Sequence, residues 1–432
     1  MAYEIIIGRN KEDLAVFGKE GTIYIGKQYV QMGQTVSLSN KVFLDVNRPH
    51  VIMVAGKRGS GKSYFLSVIA EEMVKLKQEI KQNLSFLFFD TMGIFWTMRF
   101  PNVRQEDLLE KWEMAPEKFD INIFTPKGFF NEYKNKGISN NSFLIRTSEL
   151  DSSDWANVFN LSMTDPEGIL ISRILEDLHE DYSIQDIIKA IQLYEKAEQK
   201  TRDNLENRFL AADKWGLFDR YGTELNDLIK AGEVSIVDIS CYADVNIKAL
   251  VIGLVSKKML NERISSRKYE ELQEIQGITG KENEMPLVWI LIDESHNFLP
   301  REGKTPATDS LIQILREGRQ PGISLVLATQ QPGEIHKDVL TQSDVVISHR
   351  LTAKADIEAL NSMMQSYHVA DLQRYLNELP GLRGSAIVLD DNSERIYPIR
   401  VHPKRSWHGG EAPRAIKEVK KEEPLAEDFF KA

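Results

Sequence analysis

The amino-acid sequence predicts an α/β fold on a mainly parallel sheet, with a small β-rich segment before it and a helical insertion within it. Three observations carry that expectation. Apolar runs at Val51–Ala55, Ser85–Phe89, Val234–Ile239, Leu287–Ile292 and Ser324–Ala328 lack polar alternation, as strands covered on both faces require. Helix-compatible segments lie between most of these runs, which is the alternation of a doubly wound fold. Short strand-like runs separated by glycines fill residues 1–48, the spacing of a small barrel or meander.

Taken in order, residues 1–48 offer strands at Tyr3–Ile7, Thr22–Ile25, Thr35–Leu38 and Val42–Val46, with turns at Gly8, Gly18, Gly21, Gly26 and Gly33. So short a unit has little core of its own, so this β-barrel-like segment is expected to lean on the next domain or on a neighbouring subunit. Residues 49–100 and 232–404 read as the α/β core. The interval 101–231 is too long for a simple crossover and reads as a mainly helical insertion. Within it Ser183 caps a segment whose Ile184, Ile187, Ile188 and Ile191 fall on one helical face. Residues 405–432 mix Gly, Pro, Lys and Glu and read as an extended tail.

Composition narrows the class. At 432 residues, with 42% hydrophobic and 27% charged, the chain has a soluble globular profile of two or three units. No stretch approaches the roughly 18 apolar residues of a membrane span, and the opening residues lack the pattern of a signal peptide. The single cysteine, Cys241, excludes an internal disulfide and fits a reducing, cytoplasmic location. The histidines show no metal-ligand spacing, and His402 and His408 read as packing or surface residues. A net charge of −10 gives no positive support for nucleic acid, although a ring can confine its basic residues to a channel.

The chemistry concentrates in three places. Gly56-Lys57-Arg58-Gly59-Ser60-Gly61-Lys62-Ser63 matches G-x-x-x-x-G-K-[ST] between an apolar strand and a helix-compatible segment beginning at Tyr64. That context is what a phosphate-binding P-loop demands. Glycines let backbone N–H groups turn toward the phosphates at the positive end of the helix dipole. Lys62 is expected on the β- and γ-phosphates of ATP and Ser63 on Mg²⁺, with Tyr64 completing the nucleotide-binding set. The run Leu287–Ile292 ends in Asp293 and Glu294, at the carboxyl edge where ligands of such sheets sit. Asp293 would hold the Mg²⁺ shell and Glu294 would polarise the attacking water. A third strand ends in Thr329 and Gln330, and Gln330 can sense the γ-phosphate. Just upstream, Arg316 and Arg319 offer guanidiniums that could serve as an arginine finger for a neighbouring subunit.

These pieces in this order resemble the HerA-type ATPases of the HerA/FtsK superfamily. The resemblance includes Trp215–Phe218, Gly232–Ser240, Asp293-Glu-Ser-His-Asn297, Arg316-Glu-Gly-Arg319 and Ala328-Thr-Gln-Gln-Pro332. It implies a RecA-like P-loop core, a homo-hexameric ring threading double-stranded DNA, a nuclease partner, and an arginine finger acting between subunits. By motif position Arg319 matches the finger better than Arg316. Three departures stand out: a short barrel region, Asp90-Thr-Met-Gly93-Ile94 where the family tends to carry Asp-Pro-x-Gly-Glu, and Gln331 where relatives often have Arg. With no acid at Ile94, Glu294 is the remaining candidate for activating water. The implied function is an ATP-driven DNA translocase or helicase in end processing, repair or defence. A motor for conjugation or packaging, and a nucleotide-dependent scaffold, remain open. In the tail, Leu425–Phe430 reads either as a docking peptide or as a solubilising end.

Overall fold

The computed structural model describes residues 3–32, 35–179, 181–277, 285–363, 375–376 and 379–410. Fifteen strands are named in it: β1 (Ile5–Ile7), β2 (Thr22–Met32), β3 (Thr35–Asp45), β4 (Val51–Ala55), β5 (Leu84–Asp90), β6 (Asn122–Pro126), β7 (Asn141–Phe143), β8 (Ile145–Arg146), β9 (Phe218–Asp219), β10 (Val234–Asp238), β11 (Leu287–Ile292), β12 (Ile323–Thr329), β13 (Val345–His349), β14 (Ser385–Asp390) and β15 (Arg395–Val401). Thirteen form one sheet in the order β1-β3-β2-β15-β14-β13-β4-β12-β11-β5-β10-β6-β7, and β8 pairs with β9 apart from it. From β13 across to β7 every pairing is parallel. The antiparallel pairs β13–β14, β14–β15, β15–β2 and β2–β3 extend the other side.

The unalternating apolar runs are explained by cover on both faces. In β4, Ile52 and Val54 join one core cluster while Met53 and Ala55 join the other. One cluster takes the P-loop helix Lys62–Val74, through Phe65, Val68 and Met73, together with Ile5, Ile23 and Leu44 of the N-terminal strands. The other takes Trp155, Ile171, Ile187 and Phe209 from the helices between residues 152 and 213, and Leu250 and Val251 from the helix Val245–Ile275. The first of these groups includes the helix Ile184–Leu193, where Ser183 accepts from Asp186 N and Ile184, Ile187, Ile188 and Ile191 are buried.

Two expectations change. The N-terminal strands lean on the core by continuing its sheet and not as a barrel, because β2 hydrogen-bonds along β15 from Gly26 to Gln28. A segment too short to enclose its own core satisfies its strand edges on a larger neighbour. At the contact a Cβ on Gly26 would lie 2.2 Å from the Arg400 carbonyl oxygen, so only glycine permits the approach. The same segment also contains a helix, Lys11–Phe17, capped by Asn10. In the interval 101–231, β6 and β7 add to the parallel edge of the sheet, beside the helices expected there.

Residues 405–407 pack against the core. Glu71, buried on the P-loop helix, accepts from Arg405 N (2.8 Å), Ser406 N (3.1 Å) and Ser406 Oγ (2.5 Å). Trp407 N donates to Phe100 O at 2.7 Å. His402 is buried against the Tyr24 ring and His408 packs edge-on against Tyr64. Leu425–Phe430 lies outside the described residues.

Candidate nucleotide-binding site

Register places the chemistry in one row. In the parallel sheet β4, β12, β11, β5 and β10 are consecutive neighbours and end within two residues of one another, so Gly56, Gln330, Asp293, Thr91 and Ile239 emerge near one another at the carboxyl edge. Gly56 N still donates to Thr329 O (3.2 Å) before the loop leaves the sheet. A Cβ at Gly56 would lie 2.8 Å from the His349 Cβ, so the loop passes directly over β13. Gly59 (φ +74°) and Gly61 (φ +118°) are left-handed, conformations that glycine adopts freely. Gly61 then precedes the helix at Lys62, whose first N–H groups lack helical acceptors and face the loop's concavity. Lys57, Arg58 and Gly59 are exposed, while Ser60 and Ser63 are half-buried.

Lys62 is buried, and its Nζ reaches Lys57 O at 3.3 Å. Burial depresses its pKa, while Glu294 and Asp293 push it back up. Ser63 Oγ donates to Asp293 Oδ2 at 2.5 Å, which joins the P-loop to the end of β11. Asp293 Oδ1 accepts from Glu294 N at 2.9 Å, and burial raises the Asp293 pKa above the usual carboxylate range. Glu294 itself sits at φ +52°, unusual for a residue with a side chain. Gln330 Nε2 donates to Glu294 Oε1. Glu294 Oε2 is buried with no hydrogen-bond partner, and the nearest ring nitrogen, His296 Nδ1, is 3.7 Å away. His296 Nδ1 lies 3.2 Å from Thr329 Oγ1; burial first and Lys62 second hold its pKa down.

The structure thus brings Lys62, Ser63, Asp293, Glu294 and Gln330 together. Tyr64 points to the other side of the helix, donating to Gln105 Oε1 (2.9 Å) and accepting from Lys404 N (2.5 Å). Arg319 is elsewhere. It lies in the turn before β12, at the amino edge, and six strand steps of about 3.3 Å separate that edge from Thr329 by about 20 Å. Arg316 is held within the chain by Asp338, with Nη2 to Oδ2 at 2.6 Å. Arg319 is exposed and makes no hydrogen bond or ion pair among the described residues.

Two features escaped sequence reading. His349, fully buried under Gly56 with Nδ1 3.1 Å from Ser385 O, has its pKa pushed down to about 4 by burial; it is therefore a neutral filler beneath the loop. Asp90 and Asp238 are register partners at the carboxyl edge. Asp90 accepts from the N–H groups of Met92, Gly93, Ile94 and Phe95 at 2.7–3.1 Å. This anchors the loop in which Ile94 stands half-buried in place of the family's acid. An acidic residue closing an apolar strand was the available signal for both, but nothing in one sequence says which strands are neighbours.

A parallel α/β sheet, a P-loop between its strand and helix, and a carboxylate pair on a nearby strand define a P-loop ATPase. The chain belongs to the HerA family: residues 26–259 match the model described as "Helicase HerA, central domain". It is 21% identical over 416 residues to the DNA double-strand break repair helicase HerA of Sulfurisphaera tokodaii, covering 95% of this chain and 75% of that one. It is 24% identical over 368 residues to the probable DNA double-strand break repair helicase HerA of Methanocaldococcus jannaschii, covering 77% and 69%. The structure of VirB4 of Thermoanaerobacter pseudethanolicus shares the fold, with a TM-score of 0.54 at 12% identity over 89% of this chain and 96% of that one. Among the described residues no helix is long and apolar enough to cross a membrane.

Proposed function

We propose that the chain couples ATP hydrolysis to movement along double-stranded DNA as a homo-hexameric ring, working beside a nuclease in end processing, repair or defence. The observation that carries this reading is the separation of Arg319 from its own P-loop by the length of the sheet. A complete site then needs a second copy of the chain. The DNA-repair helicases among its relatives supply the substrate class.

The residues fit ATP and Mg²⁺. Lys62 is a buried cation with one carbonyl contact, and Glu294 Oε2 is a buried acceptor without a donor. Ser63 Oγ and Asp293 Oδ2 would hold the Mg²⁺, a cation commonly bound through few protein oxygens with water and phosphate completing its shell. When bound, the ion neutralises phosphate charge. Lys62 places a point charge against the β- and γ-phosphates, and the P-loop N–H groups orient them. Glu294 Oε2 receives a hydrogen bond from the attacking water and takes its proton, while Gln330 holds Oε1 and so fixes the carboxylate plane. Arg319 of the neighbouring copy stabilises the charge developing on the transferred group.

The test is the ATPase rate with and without linear duplex DNA, across salt, alongside oligomer mass. Stimulation should fall steeply with salt, on the order of tenfold or more across a few-fold rise, because phosphate contacts release counterions. A hexamer that neither binds nor responds to duplex at low salt would overturn the translocase reading and leave a nucleotide-dependent scaffold.

A further inference from the structure

Behind the turn that carries Arg319 lies a buried arginine with no part in the phosphate chemistry. Arg263, on the helix Val245–Ile275, is fully buried. Its Nε donates to Pro321 O at 2.7 Å, and its Nη1 donates to Met285 O at 2.7 Å and to Glu270 Oε1 at 3.0 Å. Glu270 is braced in turn by Arg267 Nη1 (3.3 Å to Oε2) and Ser266 Oγ (3.3 Å to Oε1). Apolar residues commonly fill such a core position as well as a guanidinium does, because burying charge is costly. What an apolar residue cannot do is hold two backbone carbonyls from separate segments in one plane.

The segment it holds is short and closed. Ile323 N donates to Gly318 O at 2.8 Å, so residues 319–322 form a tight loop in which Pro321 has its φ restricted. A Cβ on Gly322 would lie 2.3 Å from Leu287 Cδ2 and 3.2 Å from Arg263 Nη2. The loop therefore rests directly on the guanidinium. Arg319 projects from it into solvent, while Arg316, one helical turn earlier, is engaged by Asp338.

We propose that Arg263 is a positioning residue for Arg319: its buried fork fixes the 319–322 turn so that the exposed guanidinium is held ready for the nucleotide site of the next copy. This rests on Arg319 acting between copies, as argued above. A finger on a slack turn would lose orientation before it reached the neighbouring site, and misplacement by about 1 Å can cost about a hundredfold in rate. The helix that carries Arg263 also touches its own nucleotide-site edge, where Lys248 Nζ donates to Thr91 O at 2.9 Å. Those two positions are fifteen residues apart, about 22 Å of helix, so one rigid element meets both edges of the sheet.

The test uses the full-length assembled protein with Arg263→Met and Arg263→Lys, each alone and combined with Arg319→Ala. Both should keep ATP affinity, while Arg263→Met loses about ten- to a hundredfold in turnover and Arg263→Lys loses less. Neither should lower turnover further in the Arg319→Ala background. Mixing with Lys62→Ala protein should restore activity to the Arg263 variants as it should to Arg319→Ala, because the defective finger and the defective P-loop then fall on different sites. Should Arg263→Met not fold, the same comparisons are made with Arg263→Lys, which keeps the charge facing Glu270. Wild-type turnover in the folded Arg263 variants beside a crippled Arg319→Ala overturns the positioning role. So does full additivity with Arg319→Ala, or absence of rescue. Wild-type turnover in Arg319→Ala would instead sink the finger assignment itself, and this inference with it.

Discussion

At Glu294 the chain adopts a left-handed backbone (φ +52°), a conformation that costs on the order of 1–3 kcal/mol and persists only where surroundings enforce it. There Gln330 donates to one carboxylate oxygen and the other is buried without a partner. Glu294→Gln should therefore bind ATP and fail to hydrolyse it, with a rate loss of about 10²–10⁴-fold. Near-wild-type single-turnover hydrolysis would show that the proton goes elsewhere. Gln330→Ala leaves the carboxylate in place but frees its rotation. Turnover should drop while nucleotide affinity, measured by titration, stays within about twofold; a large affinity loss would make Gln330 a direct phosphate ligand instead. Lys62→Ala should differ from both by weakening nucleotide binding as well as chemistry.

Strand ends decide how the carboxylates behave. Asp90 on β5 faces Asp238 on β10, both buried. Burial first and the Asp238 charge second push Asp90 up to about 7, from 3.8 in the unfolded chain. A carboxyl raised in the folded state contributes stability that is fully present below about pH 4 and is lost as pH rises through about 7. Thermal unfolding of the wild type should therefore carry a falling component over that window. Asp238→Asn removes the facing charge, so that burial alone opposes the four N–H donors to Asp90 and its upward shift is smaller. The variant should show a flatter profile and a higher unfolding temperature at pH 8 than the wild type. Equal pH slopes in both proteins would show that the pair is not coupled. The P-loop illustrates the same scale: Gly59 and Gly61 supply the left-handed turns, and His349 beneath Gly56 sets how closely the loop can sit on β13.

Across the whole molecule, two joints matter. Gly26 lets β2 close on β15, so Gly26→Ala forces a Cβ against the Arg400 carbonyl. The expected loss is about 1–3 kcal/mol, as for other overpacked contacts, read by denaturant unfolding with ATP binding by the folded fraction unchanged. A stability equal to wild type would mean that the strands separate there without cost. The second joint is the proposed one between copies. Arg319→Ala mixed with Lys62→Ala should regain ATPase activity at intermediate ratios, since each defect spoils a different half-site. Strictly additive loss at every ratio would place the finger in its own subunit, against the length of the sheet. Arg316→Ala is the control, because Asp338 already holds that side chain.

The sequence by itself marked five strands of the parallel sheet and the phosphate loop. Strands buried on both faces must be apolar throughout, and a phosphate cradle needs glycine, lysine and a hydroxyl at fixed spacing, so both leave local marks between Val51 and Ser63. The carboxylates closing Leu287–Ile292 and the capped helix after Ser183 were marked in the same local way. Tertiary structure alone decided which strand ends meet. Pairing of β11 with β12 is what joins Glu294 to Gln330, and pairing of β5 with β10 creates the Asp90–Asp238 contact. It also decided that the N-terminal strands extend the sheet, that Arg405 and Ser406 pack on Glu71, and that Arg263 underlies the Arg319 turn. Each of these depends on residues tens to hundreds of positions apart, and burial and hydrogen-bond geometry between distant segments leave no periodicity in a single chain.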